Sequence, residues 1–532
     1  MLLTLQNVII LEKQVSKEKK SVIVIGAGMT GLGSGLTWAL NNDVKEKPVL
    51  LIEKEPKTGG FVTSYEREGY LFDTCQMIPN INDLLEYFGI DADLRKFQGY
   101  YMRIFVVDPD TGDINVIELP SGVETFKNSL MEKYPHNAEQ IEKFLDYSRD
   151  MYHELFKLKL ESNIIDILKM LFTCPKIVRN ASKTFQEYFD KFGITEPDVI
   201  EIFKVFAEFS ALPPGKVAAV VPISVMNSLL DGAFRPHNGF EEFSKKLEER
   251  YLELGGELLL NTKVNKILID QGKVQGVELE SGEKIYSDIV ITTVDPKLAM
   301  KEMVGLDKIR EFDEKYAQKV EDVKMSCSSM NLSIGLDNEI DLNTLGLDCG
   351  YNVITTGGDT FDRLFDEYEQ GRIGFADDLF HIGVICPSLT TGGKPNISVR
   401  ITPMALGDWA ELREKDYQKY KERKQKWADF FIDKVEKYLI PDLRKHIKVL
   451  DISTPATYAR YSGSPTGSIY DMSPYPDNFG RTRLKMRTPI DGLYQPKFIH
   501  SVFACLLAGM QVNDMILDGK VMNGYARYKK RN

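Results

Sequence analysis

Apolar and polar positions change rhythm several times along this chain, and each change marks a different kind of structure. Ser21–Ile25 is a short β-branched run, a glycine-rich stretch follows, and helical spacing then holds through Leu40. Pro48–Ile52 is a second run apolar on both faces, as a buried parallel strand requires. Together, residues 21–73 predict a βαβ unit of the doubly wound class. From about 120 to 215 long helical periodicities take over, as in Ala138–Leu158 and Val199–Phe209. Residues 222–300 return to α/β, with a helix near Glu241–Leu254 and strands at Glu257–Leu260, Lys263–Ile269, Lys273–Leu279 and Ile289–Thr293. The turns Gln271-Gly272 and Ser281-Gly282 make the last three of these read as a small meander.

Alternating runs at Met325–Leu336, Tyr351–Thr356, Phe380–Pro387 and Asn396–Met404 predict further strands, and Lys415–Leu439 a long charged helix. The tail from 450 carries a strand at Gly492–Tyr494 and an apolar helix. The α/β material therefore comes in three pieces. We expect an interleaved chain: residues 1–75, 222–300 and 450–532 form one doubly wound α/β domain. Residues 76–221 and 301–449 form an α+β domain with a mixed sheet and a helical block.

Length and charge narrow the functional classes. At 532 residues the chain exceeds one ordinary core and can enclose a large ligand. A net charge of −11 argues against nucleic acid, which needs a basic surface. Six cysteines without a CxxC pair do not make a disulfide framework, which suits a reducing cytoplasm. The six histidines show no HxH or HExxH spacing, so no metal is expected. Met1–Lys20 has its apolar stretch first and its lysines last, the reverse of a secretory signal. Val217–Leu230 is too short to span a bilayer, and His500, Gln511, Asn513 and Asp514 interrupt Phe498–Leu517. Both are expected to be buried core segments.

The strongest motif is SVIVIGAGMTGLGSGLTWAL. Gly26, Ala27, Gly28, Met29, Thr30 and Gly31 form a GxGxxG loop between a buried strand and a helix. Gly26 permits the tight turn, Gly28 lets backbone approach a pyrophosphate, and Gly31 lets helix and strand pack closely. The helix N-terminus offers unpaired N–H groups and a partial positive charge to phosphate. Glu53 ends the next strand, 22 residues after Gly31, where a carboxylate accepts hydrogen bonds from an adenosine ribose; Lys54 follows it. The second pair, Gly59-Gly60, then precedes a short strand pair and Phe72-Asp73. A nicotinamide dehydrogenase has no need of that pair, whereas in flavoproteins this segment runs beside the pyrophosphate and ribityl chain. FAD is the expected cofactor.

These residues resemble the FAD-dependent phytoene desaturase, carotenoid isomerase and retinol saturase group, within the wider flavin amine oxidase superfamily. The resemblance runs from about residue 21 to 510. It is carried by IGAGMTGLGSGLTWAL with Glu53, by KTGGF…EGYLFDT, and by the segment from Glu253 to Pro296. MSCSSMNLSIGLD, STPATYARYSGSPTGSIYDM and RTPIDGLY complete it. It implies a Rossmann-type FAD-binding domain interleaved with a substrate domain, and it places the backbone of Val264 against the adenine. It also implies a lipophilic, isoprenoid- or polyene-like substrate undergoing desaturation, saturation or double-bond isomerisation.

The chain departs from the family at three places. Phe61 follows the glycine pair, Cys75 replaces a glycine, and after Tyr494 the family's glycine-acid pair gives way to Gln495, Pro496 and Lys497. Pro496 has no N–H to donate and Lys497 cannot accept a hydrogen bond, so a weakened ribityl contact is expected. His500, Cys505 and Met77 fall where the family's ring would lie, but packing explains each of them as well. Asp288 reads as a loop carboxylate, and no catalytic acid or base can be named from the sequence. A flavin amine oxidase and a nucleotide-binding protein without catalysis remain open alternatives. Finally, Ile164, Ile167, Leu168 and Leu171 form one apolar helical face with Phe172 beside it. Lys169, Lys176, Arg179 and Lys183 lie close by, so the stretch 163–183 is a candidate for peripheral membrane contact.

Overall fold

The computed structural model describes residues 18–97, 99–157, 164–478, 483–496 and 501–531. Two sheets organise it. The first is parallel, with five strands in the order Glu257–Leu259, Val49–Ile52, Val22–Ile25, Val290–Thr292 and Leu493–Tyr494. Three distant stretches of sequence thus meet in one sheet. Val22–Ile25 lies at its centre, buried on both faces, as its continuous apolar run requires.

The helix Met29–Asn41 crosses the helix Val502–Ile516 at very short range. A Cβ on Gly33 would lie 2.9 Å from the Cα of Leu506, and one on Gly509 would lie 2.4 Å from the amide nitrogen of Ser34. Asn513 seals the crossing by donating from Nδ2 to the Ser34 carbonyl at 3.0 Å. Both apolar stretches that raised the question of a membrane span form helices with many buried residues, and no described helix is long and apolar enough to cross a membrane.

The second sheet is mixed. Its seven strands run Ile447–Ser453, Ser328–Leu336, Asn396–Met404, His381–Ile385, Tyr351–Thr355, Tyr100–Val107 and Ile114–Pro120. All neighbours are antiparallel except Tyr351–Thr355 with Tyr100–Val107. One face is apolar: Met330, Leu332, Ile334, Ile397, Val399 and Ile401 pack with Phe431, Ile432 and Val435 of the helix Tyr417–Tyr438. The alternation of the strands puts Ser329, Asn331, Ser333, Ser398, Arg400 and Thr402 on the other face. A helical block built around Val123–Lys133, Ala138–Leu155, Pro197–Glu208 and Val220–Asp231 covers the sheet's far end.

Three local expectations change. The antiparallel meander is Val264–Asp270, Lys273–Leu279 and Lys284–Tyr286. Val290–Thr292, expected as its third strand, instead joins the parallel sheet, because its wholly apolar sequence suits burial on both faces. The boundary expected at 450 falls inside the strand Ile447–Ser453, which pairs with Ser328–Leu336. The pair Tyr100–Val107 and Ile114–Pro120 had not been foreseen.

Candidate cofactor site

The glycine loop stands at the C-terminal end of the central strand, the edge at which parallel α/β sheets bind ligands. Gly26 has φ +93°, and Gly31 leaves no room for any side chain, since a Cβ there would sit 1.8 Å from the Gly26 carbonyl oxygen. A Cβ on Gly28 would meet nothing nearer than the Gly60 Cα at 3.9 Å, so this stretch of backbone stays approachable. The second glycine pair closes on the first. Gly59 donates its N–H to the Ala27 carbonyl at 2.8 Å, and Gly59 and Gly60 take φ +106° and +61°. The helix beginning at Met29 has no side-chain cap. The first-turn N–H groups of Met29, Thr30 and Gly31 therefore have no intrahelical partner and face the same edge as the helix's positive end.

Glu53 is buried beside this loop. One carboxylate oxygen accepts from the Ala27 N–H at 2.7 Å, the other from the Glu55 N–H at 3.0 Å. Each oxygen keeps a lone pair for a ribose hydroxyl. The Glu53 carbonyl accepts from the N–H of Thr262, two residues before Val264, so Val264 and Glu53 come close although they are far apart in sequence. Lys54 points elsewhere, donating from Nζ to the Arg460 carbonyl at 3.1 Å and so tying this rim to the helix Pro455–Ser462.

Beyond Gly60 the chain turns through the hairpin Ser64–Arg67 and Tyr70–Asp73 to a locked segment. Asp73 and Arg235 form an ion pair at 2.8 Å, both almost wholly buried. Asp73 also accepts from Ser64 and from the Phe240 N–H, while Arg235 donates to the Gln76 carbonyl at 2.8 Å. This pair fixes the path of residues 73–76. Within it, burial pushes the Cys75 thiol up to about 11, so the thiol stays protonated at neutral pH. Met77 packs against the helical core, and Asp288 makes a surface ion pair with Lys19 at 2.6 Å. Cys505 lies half-buried in the first turn of Val502–Ile516, whereas Lys497 and His500 lie outside the described residues. Among the described residues, Asp337, Glu339 and His446 are the one grouping with metal-ligand spacing; His446 and Lys448 already pair with Asp337.

The profile of flavin containing amine oxidoreductases matches residues 34–416, well over half of the chain. The chain belongs to the flavin containing amine oxidoreductase family. Among curated proteins it is 24% identical over 507 residues to a chloroplastic prolycopene isomerase of Daucus carota, covering 89% of this chain and 75% of the relative. It is also 24% identical to a 4,4'-diapolycopene oxygenase of Methylomonas sp, with coverages of 86% and 88%, and to a lycopene-forming phytoene desaturase of Pseudescherichia vulneris, with coverages of 86% and 89%. The expected resemblance to the carotenoid desaturase and isomerase group is thus met. A putrescine oxidase structure superposes with a TM-score of 0.61 at 13% identity, over 94% of this chain and 99% of that one, which shows the shared fold. The protein is a flavin-dependent oxidoreductase.

The residues present fit a flavin dinucleotide, and one of them bears on the C-terminal loop. Gln495 immediately follows the last parallel strand and is 5% exposed, yet neither its Oε1 nor its Nε2 has a hydrogen-bond partner. The buried hydroxyl of Thr292, at the end of the neighbouring strand, is likewise unpaired. Unpaired buried polar groups are costly, so both residues, next to one another at the C-terminal edge of the parallel sheet, are suited to meet a polar ligand chain. A carboxamide both donates and accepts, so Gln495 has the chemistry to serve a ligand hydroxyl where the family's acid is missing. The sequence shows a glutamine there, but not that its side chain turns inward.

Proposed function

We propose that the protein is an FAD-dependent oxidoreductase acting on carbon–carbon bonds of a lipophilic, isoprenoid- or polyene-like substrate. The observation that carries this reading is near full-length similarity to an isomerase, an oxygenase and a desaturase of carotenoids. In this reading Glu53 holds the adenosine ribose and the backbone of Val264 lies along the adenine. The N–H groups from Gly28 to Gly31 bind the pyrophosphate, with Gly59-Gly60 against its other side. Gln495 and Thr292 take the ribityl hydroxyls. A flavin supplies hydride acceptance or donation at N5, and the protein's task is to position the substrate and exclude water. The doubly wound domain of residues 1–75, 222–300 and the C-terminal tail carries the cofactor, and the seven-stranded sheet carries the substrate.

Two observations support peripheral membrane contact as the route of substrate entry. Leu168, Leu171 and Phe172 are exposed on the helix Ile164–Thr173, Phe172 at 86%. A basic group lies close in sequence. Lys191 is pulled down to about 8 by burial and by Lys183, and Arg179 adds to the same field, an arrangement that an anionic headgroup would relieve. The six free thiols suit a reducing compartment.

The test is direct. Cofactor released from purified protein should chromatograph as FAD, and anaerobic flavin bleaching should respond to polyenes and not to amines. Bleaching by amines alone would replace this reading with amine oxidation.

A further inference from the structure

The polar face of the seven-stranded sheet carries one buried cation, Arg400, with no acidic partner among the described residues. Arg400 lies in the strand Asn396–Met404, third in the sheet, flanked by Asn331 on one side and Gly383 on the other. The segment carrying Cys75 passes over it, and Arg400 donates from Nη2 to the Thr74 carbonyl at 3.0 Å. Among the described residues the guanidinium makes no other hydrogen bond; its Nε is buried and unpaired, and no carboxylate lies within ion-pair distance. The ionisable groups acting on it are the phenols of Tyr458, Tyr470 and Tyr351 and the thiol of Cys75, and burial raises Tyr470, Tyr351 and Cys75 so that these three stay protonated at physiological pH.

Arg400, Cys75 and Tyr470 lie deep within the fold yet keep some accessible surface, so they border internal space, and Tyr458 is likewise only partly buried. The outer rim of that space is marked by Phe61, just past the second glycine pair, whose ring lies 6.1 Å from that of Tyr458. Gly383 keeps the floor open for Tyr351, since a Cβ there would lie 2.0 Å from the Tyr351 hydroxyl. Asn331, the neighbour of Arg400 across the ladder, is not similarly orphaned. Asn331 donates to Ser333 at 3.1 Å and accepts from Ser398 at 2.9 Å.

A permanent cation without a counter-ion, facing internal space beside the protonated phenols of Tyr351 and Tyr470, is costly unless a ligand supplies the negative charge. A floor meant only for hydrocarbon would not hold one. We propose that Arg400, assisted by the hydroxyls of Tyr351 and Tyr470, binds the carboxylate of an otherwise lipophilic substrate. Burial holds the Tyr470 phenol up to about 12 and raises that of Tyr351, so both remain O–H donors. The guanidinium fork suits a two-oxygen anion, whereas an alcohol or a hydrocarbon end group would leave the charge uncompensated. This deepens the reading of a lipophilic substrate and rests on it for the apolar remainder of the molecule.

The test compares acid and alcohol pairs of equal length, hexadecanoate with hexadecan-1-ol and all-trans-retinoate with retinol. Calorimetry on the flavin-loaded protein is paired with a measurement of flavin reduction potential. The acids should bind about 10- to 100-fold more tightly than the alcohols. Arg400→Gln should abolish that preference while leaving alcohol affinity, flavin content and potential unchanged, and Arg400→Lys should keep part of it. If Arg400→Gln does not fold, Tyr470→Phe and the wild-type comparison decide, since the phenol variant should narrow the preference. Equal binding of acid and alcohol by the wild type overturns the proposal. So does an Arg400→Gln variant that shifts the flavin potential but keeps the acid preference, which would place the guanidinium on the ring instead. Failure of the polyene reading is distinguishable: acids would still bind preferentially while no polyene bleaches the flavin.

Discussion

Replacing Gln495 by leucine should move two measurements in opposite directions. The side chain is buried with both polar atoms unpaired, and leucine has a similar volume without them. An unsatisfied buried polar group costs about 1–3 kcal/mol, so the flavin-free protein should become more stable by about that amount. The loaded protein should lose the same interaction and leave a ligand hydroxyl without its partner. A loss of about 1–3 kcal/mol corresponds to roughly 5- to 150-fold weaker FAD binding. ADP has no ribityl chain, so its affinity should not change. The assays are urea unfolding of flavin-free wild type and variant, read as the midpoint at constant slope, and titration with FAD and ADP followed by fluorescence. A destabilised flavin-free variant would mean that the carboxamide has a partner inside the protein. Equal losses of FAD and ADP affinity would mean that residue 495 acts on the loop and not on the ribityl chain. Either result refutes the assignment.

Glu53→Ala should weaken FAD binding about tenfold or more, since hydrogen bonds to a charged group contribute roughly 1.5–3 kcal/mol; unchanged affinity in a titration would remove its ribose role. Asp73→Asn leaves the Arg235 guanidinium buried without its counter-ion and should cost about 3–5 kcal/mol in urea unfolding, with Asp73→Leu/Arg235→Met costing less than the single change. Liposome flotation should fall for Leu168→Asp/Leu171→Asp relative to wild type, and equal flotation, or none by either, ends the membrane proposal. The pH dependence of stability should carry the signature of His381, whose imidazole burial pulls down to about 4, against about 6.5 for an unfolded histidine. Between those values the unfolded chain binds the extra proton, so stability rises with pH across the window and is lost as pH falls from 6.5 towards 4. Glu208, 3.2 Å away and pushed up by burial, acts with the opposite sign above its unfolded value. The comparison therefore belongs in a Glu208→Gln background, where His381→Gln should flatten the dependence of the urea midpoint between pH 4 and 6.5. An unchanged slope there would refute the buried neutral histidine.

What the sequence determined by itself was local. Gly26, Gly28 and Gly31 follow a strand and open a helix, Glu53 ends the next strand, and Gly59-Gly60 comes soon after; each of these depends on spacing within a few residues. Steric exclusion makes such motifs legible, because no residue with a Cβ fits at Gly31 whatever the rest of the chain does. Period-two and period-3.6 patterns likewise exposed most strands and helices, since burial of one face is written into the alternation. They failed at Val290–Thr292, where an apolar triplet could end a meander or enter a parallel sheet, and only pairing with Ile23–Ile25 decides. The tertiary structure alone brought together groups hundreds of residues apart. Asp73 met Arg235, Gln495 at the end of the strand at Tyr494 was buried without a partner, and Arg400 came to lie beneath Thr74 with no acidic partner among the described residues. Whether a buried charge or carboxamide is satisfied depends on everything packed around it, and that environment has no signature in the residue's own neighbours along the chain.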